Sequence, residues 1–190
     1  MPIIDILLSL RKKMKTWAII GLIFSTQCYA TTEADIFSLI NERLSYMEDV
    51  ALYKHNYHIC IENVEVEKNL LKGVREYAEN HRIDEESLVK FFKTQIEAAK
   101  VIQYRKRADY LMNPPDEKAP DLNTNLRPMI KILGQKINHQ IKNFLNEGET
   151  FETSSYKLFE DSIDTYYLTR FEKQKLFEAL LSIQLDSKKI

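Results

Sequence analysis

Two cationic side chains early in the chain have the type and spacing that a site for an anionic ligand needs. Arg43 and Lys54 are eleven residues apart. Eleven steps along an α-helix turn through about 1100°, which is three full turns and roughly 20°. Both side chains therefore project from the same face of one predicted helix. Such a pair can hold an anion, although it is also common as two long surface side chains whose charged ends reach solvent.

A glutamine on another predicted helix is the second candidate. Gln103 follows Ala99 by one turn and lies within the apolar stripe that Ile96 and Ile102 define. A buried amide needs hydrogen-bond partners, and the small alanine one turn earlier leaves space for a ligand. The pattern is compatible with a ligand site or with a buried amide that the core satisfies.

A metal site is a weaker hypothesis. His55 and His58 are three residues apart and Glu62 follows a turn later, which could place ligands on one helical face. No second group of ligating residues accompanies them, and histidines at the surface end of a helix are common. We therefore expect no metal.

Three further groups are expected to be structural. The aromatic group is predicted to form a core stripe rather than a platform for stacking; it consists of Tyr166, Tyr167 and Phe171. Residues 105–107 are all basic and are predicted to form a solvated helix end with ion pairs. Cys60 is expected to be a partly buried, inert thiol.

The elements that must position these residues are helices, because apolar residues recur at the helical period through most of the chain. Four segments show this pattern, at about residues 36–58, 64–79, 85–111 and 128–146. The fourth has the apolar positions Met129, Ile132, Leu133, Ile137, Ile141 and Leu145. One or two C-terminal helices are predicted from Leu158, Phe159, Ile163, Tyr167, Phe171, Leu176 and Leu180. The prediction is an all-α fold, a single helical bundle of about six helices.

Composition supports this fold class and excludes several functions. Only 4 glycines and 5 prolines occur in 190 residues, which disfavours loop-rich and sandwich folds. Charged residues make up 29% and apolar residues 44%, which excludes disorder. With 27 basic and 28 acidic residues the net charge is -1, so no basic field for nucleic acid is present. Two cysteines are too few for a disulfide scaffold.

The first thirty residues have the pattern of a secretory signal peptide. A basic segment precedes a short apolar run over residues 17–24, and small residues lead to a cleavage point after Ala30. Met14 is an alternative start to Met1. The run is shorter than the ~20 residues that span a membrane, so an uncleaved anchor is the less favoured alternative. The mature domain is then 31–190, divided into helices at 31–112, a polar linker at 113–126 and C-terminal helices at 127–190.

Several segments together resemble one known family. Residues 41–54, which carry Arg43 and Lys54, look like a first helix, and residues 91–109, which carry Gln103, match a third-helix signature. Further likeness lies in Ile61-Glu62-Asn63, Asp121-Leu122, Arg127-Pro128 and Leu133-Gly134. The combination resembles the secreted all-α chorismate mutases (AroQ type, gamma subclass), over about residues 36–137.

The resemblance implies that the chain rearranges chorismate to prephenate without a cofactor, in the periplasm or outside the cell, and as an expected homodimer. By family position, Arg43 holds a carboxylate, Lys54 reaches the ether oxygen and a carboxylate, and Gln103 donates to the same ether oxygen. The implied substrate-binding set is Arg43, Lys54, Asn63, Val66, Asn69, Leu70, Ala99, Lys100, Gln103 and Lys136.

Two positions depart from the family pattern. Val66 stands where the family has an arginine that grips the substrate, and Asn63 stands where it has an aspartate. Asn69 or Lys100 is expected to compensate in part, and Lys136 is the nearest match to the family's C-terminal cation. Two alternatives to an active enzyme therefore stay open: a weakened or inactive member of the fold with a binding role, and a purely structural bundle.

Overall fold

Six α-helices make up most of the part of the chain that the structure describes. The computed structural model describes residues 31–187, so the predicted signal peptide lies outside the described residues. The helices are α1 (Glu33–Asn56), α2 (Val64–His81), α3 (Glu85–Met112), α4 (Arg127–Asn146), α5 (Tyr156–Ser162) and α6 (Arg170–Leu181). This part of the chain has no β-strand, only an isolated antiparallel bridge between Ile83 and Leu185. The predicted all-α fold is confirmed.

Side-chain caps define where the first three helices begin. Thr32 and Asp35 form a capping box at the start of α1, as their spacing predicts. The Asn63 side chain accepts a hydrogen bond from the Val66 backbone N–H at the start of α2. Asp84 accepts one from the Ser87 N–H at the start of α3. Each cap satisfies a backbone donor that the first helical turn leaves unpaired.

Helices α1 and α3 are the centre of the bundle. Helix α1 packs against α3, α4 and α5, while α3 also contacts α2 and α6. The apolar side chains that recur at the helical period along α1 are all buried, namely Ile36, Ile40, Leu44, Met47 and Ala51. On its other side Phe37 meets the rings of Phe159 and Phe177, with centroids 5.2 and 6.2 Å away. The C-terminal helices therefore cover the side of α1 and α3 that carries this aromatic cluster.

The predicted polar linker is partly ordered and partly buried. Its last residues, Leu122–Leu126, form a π-helical turn that leads directly into α4. The Asp121 carboxylate caps this turn by accepting from the N–H groups of Asn123 and Thr124. Both leucines of the turn are buried. The segment thus fixes where α4 begins, which matters for the site described below.

Several positions predicted to be buried are exposed. In the C-terminal region Leu158 and Phe171 are 50% and 63% exposed, and Tyr166 is 91% exposed. On α4, Met129 and Ile132 are each about two-fifths exposed. The predicted core stripe of Tyr166, Tyr167 and Phe171 is therefore wrong, since only Tyr167 of the three packs against the core. The physical reason is that the chain turns between α5 and α6 at residues 166 and 167, so the three side chains do not share one helical face.

Two other features of the described residues bear on function. Cys60 is exposed, which corrects the expectation of a partly buried thiol. None of the helices within residues 31–187 is long and apolar enough to cross a membrane.

Candidate active site

A cavity of about 140 Å³ lies where α1, α2, α3 and the start of α4 meet. It brings together the three residues that the sequence singled out, Arg43, Lys54 and Gln103. Its lining is Arg43, Met47, Val50, Lys54, Ile61, Asn63, Val66, Glu67, Leu70, Ile96, Ala99, Lys100, Gln103, Leu122, Arg127 and Ile130. Four cations and one anion thus face a cavity whose remaining walls are mostly apolar.

Arg43 is a buried guanidinium without a counter-ion. Its side chain is only 3% exposed, and one NH group donates to Gln95 Oε1 at 3.0 Å. Within residues 31–187 the Arg43 Nε–H has no partner and no carboxylate forms an ion pair with it. Burial lowers the pKa of Arg43 to about 10, so the group stays charged at neutral pH. A cation that is already desolvated and unpaired favours a carboxylate ligand.

Lys54 has one ammonium hydrogen left for a ligand. Its Nζ donates to the Ile61 carbonyl oxygen at 2.5 Å and to Gln103 Oε1 at 2.8 Å, and an ammonium has three donors. Burial lowers its pKa to about 8, and the positive charge of Arg127 contributes to the same shift. The two protein contacts fix the direction in which the third N–H points.

Gln103 is oriented by the same contact. Since Oε1 accepts from Lys54, the amide NH₂ must face the other way, where Nε2 donates to the Ala99 carbonyl oxygen at 3.0 Å. Its second hydrogen meets only the Met47 sulfur, at 3.6 Å. A thioether is a weak acceptor, so a ligand oxygen in the cavity can replace it at little cost.

Charged residues flank the entrance of the cavity. Lys100 on α3 pairs with Glu67 on α2, with 3.3 Å between Nζ and Oε2, and both side chains are about one-quarter exposed. Arg127, the first residue of α4, is exposed and donates to Asn123 Oδ1 at 2.5 Å. Val66 lies at the same entrance and is 41% exposed. The carboxylate of Glu67 offsets one of these cations, so the cavity keeps a net positive charge.

Most of the predicted binding residues lie in the cavity, but two do not. Asn63, Val66, Leu70, Ala99 and Lys100 line it together with the central three, whereas Asn69 and Lys136 are absent from its walls. Lys136 instead faces a larger, open concavity of about 640 Å³ between α1 and α4. That concavity has no buried charged side chain among its lining residues.

Three residues near the cavity were missed by sequence reasoning. Arg127, rather than Lys136, is the cation of α4 that lines the cavity, because the buried π-helical turn before α4 brings the first residue of this helix, rather than its middle, to the cavity. Glu67 pairs with Lys100, and Gln95 meets Arg43 from α3. The Arg127-Pro128 pair at a helix start was the only sequence signal for the first of these.

The predicted basic helix end and the histidines have ordinary surroundings. Arg105 pairs with Glu172 at 2.7 Å and Lys106 with Glu48 at 2.7 Å, as the sequence predicts. The His55 ring packs on Tyr110, with centroids 5.0 Å apart. In the part of the chain that the structure describes, no three His, Cys, Asp or Glu residues are grouped so that they could hold a metal.

The chemistry of the lining is binding and electrostatic stabilisation rather than covalent catalysis. No serine, threonine, cysteine, histidine or tyrosine is among the described lining residues, and their one carboxylate is engaged with Lys100. The buried donors instead converge from α1 and α3 on one small volume. Such a site can hold a small dianion and stabilise negative charge that develops on one of its oxygens.

Known proteins with similar sequences are chorismate mutases. Residues 30–104 match the family model described as chorismate mutase type II. The chain is 35% identical over 147 residues to the secreted chorismate mutase of Yersinia pestis, covering 77% of this chain and 79% of that protein. It is 29% identical over 164 residues to the monofunctional chorismate mutase of Enterobacter agglomerans, covering 85% and 89%.

Solved structures agree with the sequence matches. The crystal structure of the secreted enzyme from Yersinia pestis superposes with a TM-score of 0.72 at 34% identity, over 80% of this chain and 97% of that one. The chorismate mutase from Burkholderia thailandensis gives a TM-score of 0.63 at 25% identity, over 77% and 95%.

Proposed function

This chain belongs to the chorismate mutase family, and from that premise we propose that it converts chorismate to prephenate in the cavity between α1 and α3. The reaction is an intramolecular rearrangement in which an ether C–O bond breaks while a C–C bond forms. No group is transferred to the protein, which agrees with described lining residues that include no serine, threonine, cysteine, histidine or tyrosine. The observation that carries the proposal is the buried Arg43 without a counter-ion, beside Lys54 and Gln103.

The cations select and hold the reactive shape of the substrate. Chorismate carries two carboxylates, and Arg43 binds one of them with N–H groups that have no protein partner. Fixing the substrate in a compact conformer supplies part of the rate enhancement, because the entropy cost is met on binding. The net positive charge around the cavity attracts the dianion and opposes release of its carboxylates.

Lys54 and Gln103 act on the ether oxygen. As the C–O bond breaks, negative charge develops on this oxygen, and two preorganised donors in a dry pocket stabilise it more than they stabilise the ground state. The third N–H of Lys54 and the N–H of Gln103 that meets Met47 are the two donors. Neither donor has to reorient, because Lys54 and Gln103 hold each other.

The missing arginine at Val66 is compensated in part by Lys100 and Arg127. Both cations lie at the cavity entrance, where Val66 also sits. Lys100 must exchange its Glu67 partner for a substrate carboxylate, which makes it a weaker anchor than a free arginine. The function is therefore that of an active mutase with a reduced affinity for chorismate, and nothing in the site favours an inactive member of the fold.

The proposal is tested by mixing purified protein with chorismate and following its disappearance. The Lys54→Met variant should lose activity by about a hundredfold or more, the scale for removing one donor to a developing oxyanion. Lys90→Met is the matched control, because Lys90 is an exposed lysine of α3 outside the cavity. Equal activity of all three proteins, or no turnover by the unsubstituted protein, would refute the proposed function.

Export is the second part of the proposal. A relative 35% identical to this chain is a secreted enzyme, and residues 1–30 have a signal-peptide pattern. Cleavage after Ala30 leaves Thr31 as the first residue. In the structure the Thr31 N–H donates to Glu147 Oε2 at 3.2 Å and its hydroxyl to Gln140 Oε1 at 3.0 Å. A new ammonium group at Thr31 therefore has a carboxylate partner directly after the end of α4.

A further inference from the structure

Each of the two buried cations of α1 is met by a neutral carboxamide from α3. Lys54 donates to Gln103 Oε1 at 2.8 Å, and Arg43 donates to Gln95 Oε1 at 3.0 Å. Gln103 faces the cavity and has a role in the reaction. Gln95 is fully buried, at 0% exposed, and does not line the cavity. The hydrogen bond that links its side chain to the site is the one from Arg43.

A glutamine at this position carries a cost that a purely structural role does not explain. Its Nε2 is buried and has no hydrogen-bond partner among residues 31–187. A buried donor without a partner typically destabilises a fold, whereas methionine or leucine of similar volume fills the same space without that cost. The polar side chain is therefore explained only by what its oxygen does for Arg43.

The charge of that oxygen is the decisive property. A carboxylate in the same place would pair with the guanidinium and neutralise the positive charge that binds the ligand. An amide oxygen accepts one N–H and fixes the plane of the guanidinium, but it leaves the full positive charge unneutralised. A methionine would leave the charge but not the orientation.

We propose that Gln95 is a positioning residue of the enzyme, which holds the Arg43 guanidinium toward the cavity while keeping it free of a protein counter-ion. This inference rests on the proposed function, since it assigns a partner to the cation that binds a substrate carboxylate. It goes beyond that function because Gln95 touches neither the cavity nor the substrate. Its effect is on ground-state and transition-state binding together, so it acts on KM more than on kcat.

The test compares Gln95→Glu with Gln95→Met. The glutamate variant keeps the shape and adds a competing carboxylate, so KM for chorismate should rise by roughly tenfold to a hundredfold with kcat changed by less than about threefold. The methionine variant should raise KM by a smaller factor. Gln135→Glu on α4 is the control, since it adds the same charge at an exposed position away from the cavity.

A double substitution separates positioning from packing. In an Arg43→Met background Gln95→Met should change KM by less than about twofold, because the partner is already gone. Unchanged KM in Gln95→Glu, or a fall in kcat that matches its loss of folded protein, overturns the inference while leaving the proposed function intact. If the unsubstituted protein neither binds nor converts chorismate, both proposals fail.

Discussion

The candidate site depends on how many hydrogens each buried donor has already used. Lys54 uses two of its three ammonium hydrogens in hydrogen bonds to the protein, and Gln103 donates one of its two amide hydrogens to a backbone carbonyl. What remains is one N–H from each side chain, held in fixed directions. From these unused N–H groups we infer that the site binds an oxygen atom of a ligand.

The pH dependence of the reaction should report Lys54. Because Gln103 donates without needing a proton, kcat/KM should stay level from mildly acidic to neutral pH. Lys54 must be protonated, and its pKa is lowered to about 8 by burial. The kcat/KM profile should therefore fall about tenfold per pH unit above that value, and substrate binding should move the break in kcat upward. A steep loss between mildly acidic and neutral pH would contradict this assignment.

Because of Lys54, the free energy of unfolding should rise with pH over the range in which kcat/KM falls. In the unfolded chain its pKa is the ordinary 10.5, so between about 8 and 10.5 the unfolded state binds the proton more tightly than the folded state. The free energy of unfolding should gain a contribution as pH rises through this window. Urea unfolding of the unsubstituted protein and of Lys54→Met at several pH values isolates it, since the variant should lack the rise.

Restoring the arginine at Val66 tests the compensation at the cavity entrance. Val66→Arg adds a guanidinium that can contact a substrate carboxylate at the entrance. It should raise kcat/KM for chorismate by roughly tenfold or more, mainly by lowering KM. Val64→Arg is the matched control, because two residues along a helix turn the side chain about 200° away. No gain over the control would mean that α2 does not present residue 66 to the substrate.

At the scale of elements, local helical geometry explains why part of the site was predictable. Eleven residues return to the same face of α1, so Arg43 and Lys54 could be placed together without knowing the fold. Gln95 precedes Gln103 by eight residues, which is about 80° away from the same face of α3. Only the packing of α3 against α1 shows that both glutamines meet cations.

Elements joined by irregular segments were less predictable. The position of Arg127 depends on how the chain returns after three prolines and on a buried π-helical turn, neither of which has a periodic signal. Tyr166 is exposed because it lies in the turn between α5 and α6, and Phe171 because it is on the outer face of the short helix α6. The first three helices had caps and long apolar stripes, and their predicted bounds are accordingly close to those observed.

The end of α2 offers a test of the fold that leaves the site untouched. Arg82 caps this helix in the left-handed conformation, with φ 59° and ψ 33°, which glycine adopts without the steric cost of a Cβ. Arg82→Gly should raise the free energy of unfolding by about 0.5–1 kcal/mol, with unchanged chorismate turnover. Arg82→Ala keeps the Cβ and should give no such gain in urea unfolding. A stability loss with glycine would contradict the observed backbone conformation.

At the scale of the whole molecule, one set of helices lines the cavity and another set packs against it. Every described lining residue comes from α1, α2, α3, the connection between α1 and α2, or the segment from Leu122 to the first turn of α4. The last two helices contribute none, but they pack on α1 and α3 and bury the Phe37 ring. Their role is to hold the two site-bearing helices at a fixed distance, so that the buried donors stay preorganised.

Export predicts a defined mature protein. Mass spectrometry of the chain expressed in a bacterium with an intact secretion system should find a species that begins at Thr31 in the periplasmic fraction. A species that retains residues 1–30 in the membrane fraction would support the alternative of an uncleaved anchor. Sedimentation of the mature protein also tests the homodimer that the family resemblance implies, which stays a prediction.

The binding of substrate by Arg43, Lys54 and Gln103 is tested by soaking prephenate, the product dianion, into crystals of the mature protein and determining its position. We expect one carboxylate to lie against the Arg43 guanidinium and another ligand oxygen to lie within hydrogen-bonding distance of both Lys54 Nζ and Gln103 Nε2. Density for the ligand in the open concavity between α1 and α4, with the cavity between α1 and α3 empty, would contradict it.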